Sequence, residues 1–311
     1  METSRFHTLT RRLLSYRQLW ADLALVLVVA IWGATFVMVK DAVTGFPVFT
    51  FLAIRFTLAT LTLLPFVRWE GARPRGQTLW WQGALMGVAL FAGYGLQTMG
   101  LRFTTPAKAG FITGLSVVLV PVGSAWFLRR PPSRFATMGV VMATVGLALL
   151  SLNEDLTVGL GDLLVLGCAV SFAAQVVLTG AYAPGQPAMR LALVQIATVA
   201  ALSWLVALAF ERPWPPVAGH VWFAAAFTGV FATSLAFAAQ TSAQRFTSPT
   251  HTALVFSLEP VFAGVFSYLL IGELLTGRAL IGSALILCGM LAAELGDWIW
   301  QGARREAAAE M

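Results

Sequence analysis

Long uninterrupted apolar runs alternate with short polar breaks along the whole chain. "ADLALVLVVAIWGATFVMV" (21–39), "GVVMATVGLALLSL" (139–152) and "RALIGSALILCGMLAAEL" (278–295) carry almost no charge. About 20 consecutive apolar residues match the hydrocarbon thickness of a bilayer. Strands of a membrane barrel would alternate apolar and polar positions, whereas these runs are continuous, so they predict transmembrane helices. The pattern places ten, over 21–40, 48–66, 79–101, 106–128, 134–152, 160–182, 188–210, 219–242, 249–271 and 278–300. The breaks between them ("TGFP", "EGARPRG", "TTP", "RRPPSR", "NEDLTVG", "APGQP", "ERPWPP", "TSP", "GELLTG") are built of Pro, Gly and charge, which punctuate helices. The expected fold class is an all-α integral membrane protein.

Composition agrees. Charged residues are 11% and hydrophobic residues 58% of the chain, against about 25% charged in a soluble domain, too few to cover a water-facing surface. The first run is longer than a signal-peptide core and reads as a span. Arg5, Arg11, Arg12, Arg17, Arg68, Arg73, Arg75, Arg129, Arg130, Arg134, Arg190, Arg245, Arg304 and Arg305 fall on one side of the membrane. Only Lys40, Arg102, Lys108, Arg212 and Arg278 fall on the other, and Arg55 lies inside a span. Cationic loops stay in the cytoplasm, so both termini are expected there, in a plasma or inner membrane. The sequence pI near 10.0 is then a topology signal, and nucleic-acid binding has no support. The arm "RFHTLTRRLLSYRQLW" (5–20) reads either as an interfacial helix or as a partly ordered tail. Cys168 and Cys288 both sit in apolar runs and offer neither a disulfide framework nor metal spacing, so no cofactor or metal is expected.

The chain repeats itself. "QTMGLRFTTP" (97–106) returns as "QTSAQRFTSP" (240–249), and at that offset Leu115 meets Leu258, Ala136 meets Ala279, Gly139 meets Gly282 and Gly146 meets Gly289. With three residues of loop difference, Trp32-Gly-Ala-Thr-Phe36 registers loosely over Phe172-Ala-Ala-Gln-Val176, and Arg55 over Gln195. The expected units are an arm (1–20), a first five-helix repeat (21–152), a second (160–300) and a cytoplasmic tail (301–311). Five is odd, so the second unit enters the membrane from the opposite side. Inverted repeats related by a two-fold axis in the membrane plane characterise secondary transporters, with the substrate site near the midplane between them.

"AIWGATFVMVK" (30–40), "IRFTLATLTLLP" (54–65) and above all "SLEPVFAGVFSYLLIGELLTGRALIGSALILCGM" (257–290) resemble the EamA family of the drug/metabolite transporter superfamily. The resemblance covers nearly the whole chain. It implies ten helices and export of small metabolites or drugs by alternating access, with amino-acid exporters of the YddG kind as the nearest type. One departure is that Ser116 and Val117 stand where the second half has Glu259 and Pro260.

Binding residues should be polar or aromatic, within a span and on an inner face. Phe91, Tyr94 and Thr98 share a face of the third helix at helical spacing, with Gln97 one step aside; Ser234, Phe237 and Gln240 answer in the eighth. Trp32, Thr35 and Phe36 cluster in the first helix, and Phe172, Gln175 and Thr179 answer in the sixth; Phe111 and Phe256 are candidates in the fourth and ninth. Together they would form an aromatic-walled cavity with a few hydrogen-bonding groups, the usual make-up of a small-molecule site. The alternative is ordinary bundle packing, in which Thr, Ser and Gln bond across helices. No charged pair at the midplane demands an ionic substrate, so a neutral or zwitterionic solute is expected, such as a neutral or aromatic amino acid. Arg55 reads as structural, its long side chain reaching the interface or bonding carbonyls of neighbouring helices, with contact to substrate as the alternative. Glu259, a carboxylate ten residues into the ninth helix, is a functional group by default in a membrane. It serves either proton coupling or as a hydrogen-bond anchor. Glu273 reads as a loop residue.

The partners implied are a small-molecule substrate, the bilayer and, through Glu259, protons; two fused repeats require no oligomeric partner. A multidrug or other metabolite carrier is the nearest alternative. A membrane enzyme would need clustered catalytic groups, but His7, His220 and His251 are scattered with no HExxH or paired-Asp motif. A receptor or scaffold needs no inverted repeat, and a primary pump would need a Walker motif. The topology is directly testable. In a background lacking Cys168 and Cys288, Arg102→Cys should label with a membrane-impermeant thiol reagent from outside and Arg245→Cys only from inside. Labelling of both from one side would defeat the inverted arrangement.

Overall fold

A computed structural model describes residues 2–69, 78–104, 106–129, 131–151, 159–212, 214, 216–271 and 277–309. Among these the regular structure is entirely helical. The first five rods are α1 (Glu2–Thr44), α2 (Val48–Trp69), α3 (Thr78–Gly100), a broken pair α4 (Pro106–Gly114) and α5 (Ser116–Phe127), and α6 (Arg134–Ser151). The second five begin with α7 (Leu160–Tyr182) and α8 (Ala188–Phe210). A composite of α9 (Gly219–Gly229), a π-helical turn (Val230–Leu235) and α10 (Ala236–Ala243) comes next. The broken pair α11 (Pro249–Phe256) and α12 (Glu259–Ile271), then α13 (Gly277–Ala309), complete the set. Gln18–Thr44, Val48–Arg68, Leu160–Tyr182, Ala188–Phe210 and Gly219–Ala243 are each long and apolar enough to cross a bilayer; Ile112–Phe127, Arg134–Gly146 and Leu280–Ala293 are shorter apolar stretches. Large apolar side chains such as Leu27, Trp126, Leu205, Phe223 and Leu269 point outward, as lipid contact requires.

The helices differ from expectation in two ways. First, α1 runs unbroken from Glu2 through the expected boundary at residue 20, and α13 runs past 300 to Ala309. Neither junction carries a proline, and Ala, Arg and Glu of the tail are strong helix formers. Second, the fourth and ninth spans each break, at Leu115 and at Ser257–Leu258. These are equivalent positions of the two repeats. In the ninth rod Pro260 lacks the N–H that would bond Phe256 and crowds that carbonyl, and the Ser257 hydroxyl donates to the Leu254 carbonyl at 2.6 Å. The fourth rod breaks at the same place with Val117 where the proline would be. The break therefore belongs to the repeat and is not made by proline alone. Glu259 consequently opens α12 and does not lie in mid-helix.

The two halves are related by inversion. A Cβ on Gly139 would come within 2.6 Å of the Gly289 carbonyl oxygen, and one on Gly146 within 2.5 Å of the Gly282 carbonyl oxygen. Since Gly139 is equivalent to Gly282 and Gly146 to Gly289, each contact is the other with the halves exchanged. α6 and α13 thus run antiparallel at backbone contact, which only glycine permits. The rest of the packing is reciprocal too: α3 lies on α7 as α10 lies on α1, and α3 on α8 as α9 lies on α2. On the face of the turn at 45–47, the Thr104 hydroxyl donates to Asp162 Oδ1 at 2.6 Å. On the opposite face His251 Nε2 meets Asp22 Oδ1 at 3.0 Å. Asp22 and Asp162 are equivalents, so each repeat's first helix is fastened to the other repeat, at the third-to-fourth connection by Thr104 and in the first turn of α11 by His251.

Two further ties lie on the first of those faces. Glu211 accepts from the Phe49 and Thr50 N–H groups at 2.9 and 2.7 Å and from the Thr50 hydroxyl, satisfying the start of α2 with an anion at its positive end. Arg102 donates to the Val43 and Phe46 carbonyls, both at 3.1 Å, so it serves the end of α1. Ser248 caps α11, its hydroxyl accepting from the His251 N–H. Overpacking costs about 1–3 kcal/mol, so Gly146→Val should lower the thermal midpoint of the detergent-purified chain by that equivalent. An unchanged midpoint would mean that α6 and α13 do not meet there.

Candidate functional site

Between the repeats lies a cavity lined by residues of both halves. Its lining sorts by repeat equivalence. Six pairs contribute from both halves: Trp32 with Phe172, Thr35 with Gln175, Phe36 with Val176, Tyr94 with Phe237, Thr113 with Phe256, and Ser116 with Glu259. They form the central layer. The broken rods place Ser116 and Glu259 there, because each opens the second segment of its span. The remaining lining residues, Val39, Arg55, Leu90, Gln97, Leu101 and Gly114, all come from the first repeat. They extend the cavity along α1 and α3 toward the turns at 45–47 and 101–104.

The second-repeat equivalents of Val39, Arg55, Gln97 and Leu101 are Thr179, Gln195, Gln240 and Gln244, and these form a closed network. Gln175 Nε2 donates to Gln195 Oε1 and to the Thr179 hydroxyl, both at 3.0 Å. Gln195 Nε2 donates to the Thr241 hydroxyl at 3.0 Å. Gln240 Nε2 donates to Gln175 Oε1 at 3.1 Å and to Gln244 Oε1 at 2.9 Å. Gln244 Nε2 ends the chain on the Val176 carbonyl at 2.9 Å. All of these side chains are buried. The same sites are therefore open in one half and filled by cross-bonded amides in the other.

The walls of the central layer are aromatic. Tyr94 meets Phe56, Phe172 and Phe237 edge-on at centroid distances of 5.0, 5.2 and 6.2 Å. Trp32 meets Phe256 at 5.0 Å and Phe237 at 5.6 Å. Trp32 Nε1 donates to the Ala232 carbonyl at 2.8 Å, within the π-helical turn, the kind of irregularity that often marks a functional site. Thr233 of that turn accepts from Arg55 Nε at 2.9 Å.

Of the residues singled out from sequence, Trp32, Thr35, Phe36, Tyr94, Gln97, Phe172, Gln175, Phe237, Phe256 and Glu259 lie on the cavity wall. Phe91 faces Phe49 at 5.8 Å between centroids. Thr98 and Ser234 are buried away from the wall, and Thr179 and Gln240 belong to the amide network. The side chain of Phe111 lies outside the described residues, as does Glu273. Arg55 does not reach the interface but is 3% exposed and faces the cavity. With Glu259 it gives the cavity one cation and one carboxylate, which the sequence did not suggest because the two are far apart along the chain. Thr113 and Ser116 were legible only through the repeat, as partners of Phe256 and Glu259.

Comparison with known proteins follows this geometry. The EamA-like transporter family matches twice, over residues 19–152 and 159–293. An uncharacterized transporter of Archaeoglobus fulgidus is 34% identical over 280 residues, covering 90% of this chain and 87% of its own. The uncharacterized transporter YoaV of Bacillus subtilis is 24% identical over 86% of this chain and 94% of its own. A crystal structure with 22% identity superposes with a TM-score of 0.73, covering 88% of this chain and 96% of that one, a likeness of fold.

The amide network makes its own prediction. Gln195→Leu removes the acceptor of Gln175 and the donor to Thr241, and a buried polar group left short of a partner costs about 1–3 kcal/mol. Thermal unfolding of the full chain in detergent should show a loss of that size. A change near zero would mean that the amides are not mutually bonded.

Proposed function

Because the chain belongs to the EamA-like transporter family, we propose that it is a secondary carrier that exports small metabolites by alternating access. Neutral or aromatic amino acids are the substrate class, and the plasma or inner membrane, with both termini cytoplasmic, is the location. The observation that carries this reading is the unequal filling of equivalent half-channels. The first-repeat half is open from the central layer toward the turns at 45–47 and 101–104. The second-repeat half is closed by Gln195, Gln240, Gln244 and Thr179. Two inverted repeats that can exchange these roles present one central site to either face in turn. By the charge distribution the open face is the outer one. Gln240 Oε1 is buried with no partner among the described residues, so the closed side is not fully satisfied and has less to lose on opening.

The aromatic central layer supports an apolar or aromatic side chain as cargo, and Thr35, Gln97, Gln175 and Ser116 supply placed polar groups. Phe91, Thr98, Phe111, Ser234, Thr179 and Gln240 belong to the same functional region as its surroundings or gate. Protons enter through Glu259, the carboxylate of the central layer. Counterflow in proteoliposomes, with a panel of amino acids, nucleotide sugars and cationic drugs, tests the reading. Exchange of large neutral amino acids is expected, exchange of cationic drugs alone would favour multidrug export, and no exchange would overturn carriage. In the same vesicles Glu259→Gln should lose acceleration by an imposed pH gradient; full gradient-driven transport by the variant would remove the proton role.

A further inference from the structure

Arg55 is a cation buried in a membrane-spanning helix of this protein. It is 3% exposed. Its Nε is held by the Thr233 hydroxyl at 2.9 Å, its Cζ lies 4.7 Å from the centroid of the Tyr94 ring and 5.5 Å from that of Phe56, and the Tyr94 hydroxyl is 3.5 Å from one terminal nitrogen. Among the described residues no carboxylate lies within 4.0 Å of it. Aromatic faces offset part of the cost of a buried cation, and one hydroxyl offsets a little more. An intramembrane charge ordinarily has a counter-charge; among the described residues none is in ion-pair contact with Arg55, and the carboxylate that shares its cavity wall is Glu259. The equivalent position in the other repeat is the neutral amide of Gln195, fully engaged in the closed network.

We infer that Arg55 binds the carboxylate of the transported solute, and so selects amino acids over amines with the same side chain. This rests on the carrier reading above and adds to it the group that recognises the cargo. Three observations converge. Arg55 lines the cavity, so an anion in the cavity can reach it. Thr233 holds Nε and thereby orients the terminal fork, the part of a guanidinium that matches a carboxylate with two parallel hydrogen bonds. Glu259 is on the same cavity wall, so the lining holds one cation and one carboxylate. A zwitterion meets both, whereas a phosphate dianion would face a single cation and a like charge. The aromatic rings of Trp32, Tyr94 and Phe237 are left for the side chain of the solute.

The rival role for Arg55 is a tie between α2 and the eighth rod through Thr233. A tie would weaken transport of every solute alike, whereas recognition changes the ratio between acids and amines. The full chain in proteoliposomes is assayed by counterflow with phenylalanine and tryptophan, and with phenethylamine and tryptamine, which lack the carboxylate. Wild type should prefer each acid over its amine by at least roughly 100-fold in kcat/KM, as a site built to bond a polar group rejects the analogue without it. Arg55→Gln should lose that preference to within a few-fold, with the loss falling on the acids, and Arg55→Lys, which keeps the charge but not the fork, should lie between. Equal use of acids and amines by wild type overturns the assignment, as does an Arg55→Gln variant that lowers both alike or retains the wild-type preference. If Arg55→Gln does not elute as a monodisperse species, the wild-type comparison decides alone. Exchange restricted to carboxylate-free solutes overturns the role of Arg55 while leaving carriage intact; exchange of no solute overturns carriage, and this assignment with it.

Discussion

Inside a bilayer an amide or a hydroxyl has no water to turn to, so each must find its partner within the protein. The second repeat meets this constraint, Gln240 Oε1 excepted, with glutamines that bond one another across α7, α8 and α10, and in doing so it fills the space between them. The first repeat meets it by having few such groups: Val39 and Leu101 stand where Thr179 and Gln244 do. What is left there is space, with Arg55 on its wall. The cavity is thus a consequence of how two copies of one architecture satisfy, or avoid, buried polar groups.

That asymmetry matters only because the frame around it is symmetric. The reciprocal glycine contacts of α6 and α13 hold one end rod of each repeat at backbone distance. The pairs Asp162–Thr104 and Asp22–His251 fasten each first helix to the other repeat. These attachments join corresponding parts of the two repeats. The breaks at Leu115 and Ser257–Leu258 add a second shared feature. Each ends a helical segment at the central layer and brings one polar residue, Ser116 or Glu259, to the cavity wall.

Much of the architecture was legible from the chain alone. Uninterrupted apolar runs need only length to be recognised as spans, and a repeat of five helices is inverted by parity. The aromatic and polar positions at helical spacing on the third helix led to Tyr94 and Gln97, and the repeat carried Tyr94 across to Phe237. In the ninth span Pro260 signalled a kink, whereas the break in the fourth was not legible, since Val117 gives no sign of one. Nor was the direction of Arg55. A long side chain in an apolar span can reach either the interface or the interior, and the choice depends on Thr233 and Tyr94, which lie on other helices.

The sequence by itself determined the number of helices, their inversion and the equivalence of positions, because each follows from local hydrophobicity and from self-similarity along one strand of text. The tertiary structure alone decided which equivalent positions face open space and which are bonded shut. That outcome depends on which side chains of different helices come within hydrogen-bonding distance of one another. It also brought Arg55 and Glu259 to one cavity, a pairing of opposite charges that no local pattern records.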